Sequence, residues 1–100
     1  MNNKEFFQVV FRRPTDKLLT QGSFMYNNGK ITLSKYKGVL FRTLRNQETV
    51  MEFTENDIAE CRNGEIKGYT SVRFILTSGE MIDVSLTKNV AEYFLQTKHK

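Results

Sequence analysis

The strongest constraint on this chain lies in its last thirty residues. Two alternating apolar runs, residues 71–77 and 81–86, are joined by Ser78 and Gly79 and followed at once by a helical pattern over 88–97. Val72, Phe74 and Leu76 share one parity, as do Ile82, Val84 and Leu86, so both runs carry an apolar side that needs covering. Val90, Tyr93, Phe94 and Thr97 recur three and four apart, with Ala91 and Leu95 widening the stripe. Thr87 stands where a helix cap belongs. A hairpin with one greasy face and an amphipathic helix directly after it predict a helix laid across a sheet.

The upstream sequence reads as further short strands. Residues 5–12 place Phe7, Val9 and Phe11 on one parity and Phe6 and Val10 on the other, which predicts a strand that is either central or sits at a contact with something else. Pro14 and Asp16 stop it, and 17–21 reads as a short link. Residues 23–26 and 30–34 flank Asn27-Asn28-Gly29, a turn whose residues tolerate positive φ and favour a tight hairpin. Residues 35–38 read as a polar loop, 39–44 as a strand and 45–48 as a turn. Residues 49–54 and 57–62 supply two more strands, with Met51, Phe53 and Ile58 as core anchors. Residues 63–68 read as a polar loop, and Tyr69 as the opening of the next strand. The expectation is a mainly β chain: a curled antiparallel sheet or partly open barrel of about seven strands, capped by one C-terminal helix.

One hundred residues make a single domain with a modest core. The lone Cys61 cannot form an internal disulfide, and an inert cysteine in a reducing, cytoplasmic setting is the simplest reading. The apolar stretch at 6–11 is too short for a secretory core or a membrane span. Charge is uneven: residues 1–45 hold nine basic side chains against two acids, and the remainder six against nine. A face built from the first half would attract anions.

Several stretches together resemble the pleckstrin-homology-like superfold, chiefly its GRAM and small bacterial PH-like members. They are Gly29-Lys30-Ile31-Thr32-Leu33, Val39-Leu40-Phe41, Asp57-Ile58, and the run from Val72 through Ser78-Gly79 to Glu80. The resemblance spans about residues 22–97, leaving 1–21 as an added strand and link. It implies a curled sheet sealed by a C-terminal helix, and a role in binding. Many such domains hold phosphoinositide headgroups through basic residues in the first hairpin loop, for which Lys30, Lys35 and Lys37 are the nearest counterparts; others bind peptides or form homo-oligomers.

No reaction centre is legible. The sole histidine, His99, sits one residue from the end, the carboxylates are dispersed, and Gly64 and Gly68 lack the lysine and hydroxyl of a phosphate loop. Neither a metal nor another cofactor is expected, and the chain reads as non-enzymatic. Two binding readings stand. In the first, Phe6, Phe7, Val10, Ile75 and Met81 exceed what a small core uses, and they engage a second copy or another protein, with the first strand pairing along its edge. In the second, Arg12, Arg13, Lys30, Lys35, Lys37 and Arg42 form an anion-binding surface for membrane headgroups or nucleic acid.

Overall fold

The computed structural model describes residues 4–37 and 47–98. Seven strands occupy them: β1 (Lys4–Arg12), β2 (Thr20–Asn27), β3 (Lys30–Tyr36), β4 (Gln47–Thr54), β5 (Ile58–Asn63), β6 (Ser71–Leu76) and β7 (Met81–Ser85). A single helix, α1 (Lys88–Lys98), follows. The strands form one antiparallel sheet in the order β4-β3-β2-β1-β7-β6-β5. The mainly β reading with one C-terminal helix therefore holds.

Ring contacts show how far the sheet curls. Phe53 on β4 and Phe74 on β6 lie five strands apart in the ladder, yet their ring centroids are 5.7 Å apart. Phe24 on β2 meets Phe74 at 6.1 Å. Only a sheet folded over onto itself brings these side chains together. Helix α1 closes the interior with Phe94, which sits 5.9 Å from Phe24, 5.1 Å from Phe74 and 6.4 Å from Tyr26. Val90 and Ala91 are buried beside it, whereas Thr97 is exposed and its hydroxyl donates to the Tyr93 carbonyl. The stripe thus ends one turn earlier than the spacing predicts. Tyr93 ties the helix to the turn after β4, its hydroxyl donating to Glu55 Oε1 at 3.0 Å.

Two local features follow from residue chemistry. Asn28 and Gly29 both have positive φ, as the tight β2–β3 hairpin requires. Gly22 is demanded by space: a Cβ there would lie 1.7 Å from the Ser34 carbonyl oxygen.

Several boundaries differ from the sequence reading. Thr20 and Gln21 belong to β2, Lys35 and Tyr36 to β3, and Gln47 and Glu48 to β4. Polar composition made these ends look like loops, but each faces a ladder partner, such as Gly22 opposite Lys35 and Tyr36 opposite Gln47. A 3-10 turn takes Glu55–Asp57, so β5 opens at Ile58. Tyr69 lies in the loop before β6, and that loop buries Ile66. The strand expected at 39–44 lies outside the described residues.

β1 is no appendage. It runs through the middle of the sheet, with β2 on one side and β7 on the other. Its pairing with β2 extends over Lys4–Phe11, but its pairing with β7 covers only Phe11 and Arg12.

Candidate protein-binding edge

The uneven pairing of β1 generates the most distinctive surface of the molecule. The Val10 N–H donates to Ser85 Oγ at 2.9 Å, which fixes the direction of that amide toward β7. Backbone groups alternate along a strand, so the N–H and C=O of Phe6 and Gln8 point the same way. β7 ends at Ser85, and no strand among the described residues pairs with β1 there. A cleft of about 560 Å³ opens beside this edge. Phe6, Gln8 and Val9 line one wall; Tyr69, Leu86 and Lys88 are on the other. A smaller neighbour of about 380 Å³ shares Gln8, Val9, Tyr69 and Ser85 and reaches Tyr36.

The five residues expected to exceed the core divide into separate groups. Phe7 faces inward and meets Phe24 at 6.1 Å. Phe6, 38% exposed, and the half-buried Val10 occupy the outer face of β1 beside the cleft. Ile75 and Met81 face each other across β6 and β7. A charged row separates them from Phe6: Arg12, Asp83, Arg73 and Arg62 stand opposite one another across β1, β7, β6 and β5.

That row is itself built carefully. Asp83 is fully buried and accepts from Arg73 Nε at 2.7 Å, Arg73 Nη2 at 3.0 Å and the Glu65 N–H at 3.1 Å. Hydrogen bonding to Asp83 holds the Arg73 guanidinium above its ordinary pKa, against the opposing effect of burial. Arg12 Nη2 donates to the Glu65 carbonyl at 3.0 Å, while its buried Nε meets no partner among the described residues. These bonds fasten the loop before β6 across the outside of the sheet. Leu86 adds to this, its N–H donating to the Thr70 carbonyl.

The expected anion-binding set is not gathered into one place. Lys30 and Lys35 lie at opposite ends of β3, paired with Glu52 at 3.1 Å and Glu48 at 3.4 Å. Arg13 approaches Glu80 at 4.0 Å. Lys37 is exposed just past β3, and Arg42 falls outside the described residues. A different basic and apolar cluster appears instead. Leu18 and Leu19, 81% and 42% exposed, border a hollow of about 330 Å³ with Arg12, Lys17 and Lys67.

Sequence reasoning missed Tyr69, the two leucines and the Asp83 network. The network had a signal: in a hairpin turning at Ser78-Gly79, Arg73 and Asp83 fall opposite each other, as Ile75 and Met81 do. The leucines had none, since an apolar pair in a short link does not reveal its exposure.

Cys61 is fully buried. Among the described residues no three His, Cys, Asp or Glu side chains converge as metal ligands, and no helix is long and apolar enough to cross a membrane. No protein-family model, curated protein or solved structure matches this chain.

Proposed function

We propose that this is a non-catalytic, cytoplasmic binding domain of the pleckstrin-homology-like kind, acting by contact with another polypeptide at β1. The observation that carries the reading is the stretch of β1 from Phe6 to Val9, with which no strand among the described residues pairs on the β7 side, and the exposed Phe6 within it. An open strand edge flanked by an apolar ring binds protein by completing the ladder and covering the ring together. The partner is a second copy or a different chain. Sedimentation velocity over a wide concentration range, for the protein and its Phe6→Asp variant, tests self-association. A photo-crosslinker at position 6, compared with one at position 81, tests the hetero-partner. A strict monomer, with the same crosslinked species from both positions, refutes the reading.

The exposed Leu18-Leu19 pair beside Arg12, Lys17 and Lys67 favours a second reading, contact with an anionic lipid surface. Its support is that apolar side chains and cations share one loop-borne surface. Salt-sensitive sedimentation with phosphatidylserine vesicles, absent with phosphatidylcholine and lost in Leu18→Ser/Leu19→Ser, is the expected result. Equal retention on a mixed oligonucleotide pool would point to phosphate recognition without insertion.

A further inference from the structure

We infer that the cleft between β1 and the β7–α1 junction is a slot for a single linear, acidic segment of another protein, bound as an inserted strand. This rests on the proposed role of the β1 edge and specifies its occupant. The slot is two-sided. On one side stand the backbone groups of Phe6 and Gln8, directed toward β7 as Val10 is. On the other, Leu86, Thr87 and Lys88 fall where β7 would face Val9, Gln8 and Phe7 if the β1–β7 register continued.

That geometry selects the kind of partner. Every described strand of a second copy already has at least one edge committed to its own ladder. Such a strand can approach another edge to edge, but it cannot enter a slot that contacts both of its sides. A linear segment has both edges free, and alternate side chains leave its backbone toward opposite faces. On the outer face those side chains would meet Phe6 and Tyr69, the latter 54% exposed.

Charge narrows the choice further. Lys88 lines the slot at the first turn of α1, and that turn contains no acidic residue. Lys4 opens β1 toward the same end. The positive end of the helix dipole adds to both. An acidic side chain, or a terminal carboxylate, is the complementary group for that end.

The test begins with a displayed library of random linear peptides selected on the full chain. Enriched peptides are synthesised and titrated by fluorescence anisotropy, with amide exchange followed by NMR. The expected peptides carry an acidic group and slow exchange at Phe6 and Gln8. Gln8→Pro removes one slot-facing donor and leaves the β2 ladder intact. It should weaken binding about fivefold, the equivalent of one net hydrogen bond. Lys88→Glu leaves β1 untouched and should weaken binding about three- to tenfold at low salt. Failure to enrich any binding peptide overturns the slot, as does binding that leaves both amides exchanging freely and is unchanged in Lys88→Glu. Self-association abolished by Phe6→Asp without peptide binding would retain the broader role of β1 and sink the inserted strand alone.

Discussion

Replacing Asp83 with alanine removes the acceptor at the centre of the charged row. Three donors lose their partner: Arg73 Nε, Arg73 Nη2 and the Glu65 N–H, held at 2.7, 3.0 and 3.1 Å. Breaking a buried pair by deleting one member costs about 3–5 kcal/mol, because the other charge stays desolvated. Here the Arg73 side chain keeps 20% exposure and a second carboxylate, Glu65, at 3.5 Å, so the loss should be about 2–4 kcal/mol. For a domain of this size each kcal/mol is worth about 4–8 °C in Tm. The assay is equilibrium urea unfolding of Asp83→Ala, Arg73→Met and the double variant. The double variant should be more stable than the sum of the single losses implies, since it leaves no orphaned charge. Amide exchange at Glu65 should accelerate in Asp83→Ala. A loss below about 1 kcal/mol, or strict additivity, would refute the view that this pair holds the outer loop in place.

Phe94→Ala should cost about 3–5 kcal/mol in the same unfolding assay, because its fully buried ring meets Phe24, Tyr26, Phe74 and Tyr93. Gly22→Ala should lose at least about 3 kcal/mol or fail to fold, since its Cβ would collide with the Ser34 carbonyl rather than with a movable side chain. Tyr93→Phe should lose about 1 kcal/mol, matching one hydroxyl donated to Glu55. Burial, then the bond to Glu55, raises the Tyr93 phenol above its ordinary value of 10.0. The folded state therefore keeps this proton longer than the unfolded state. Its contribution is fully present below pH 10 and declines above it, and an alkaline denaturation series that lacks this decline in the wild type would contradict it.

The elements legible in the sequence were those with strong alternation and few partners to choose among. Val72, Phe74, Leu76, Ile82 and Val84 announced their parity, and each is buried as that parity requires. Asn28-Gly29 announced its hairpin through positive φ. Strand ends were less legible, because Gln21, Lys35 and Gln47 are polar and gain their extended form from cross-strand neighbours. The two-sided apolar character of 5–12 marked a strand either central in the sheet or set against something else, and β1 does run between β2 and β7. It could not distinguish the inward Phe7 from the outward Phe6, since parity defines two faces without saying which one meets the core. The grouping of candidate site residues was illegible for a related reason. Only the order β1-β7-β6 reveals that the Asp83 row divides Phe6 from Ile75 and Met81.

The open edge of β1 is a consequence of how α1 must dock. Val90, Ala91 and Phe94 can reach Phe24 and Phe74 only if the chain leaves the sheet plane soon after Ser85. β7 accordingly has five residues, whereas β1 has nine and follows β2 to its end. Sealing the core from above thus strips β1 of a neighbour from the side. A longer β7 would pair Phe6 and Gln8 but would displace Val90 and Phe94 from the rings they cover. The same residues that close the interior therefore leave a stretch of β1 that no strand among the described residues completes. Stability and binding capacity are coupled through the position of the Leu86-Thr87 bend.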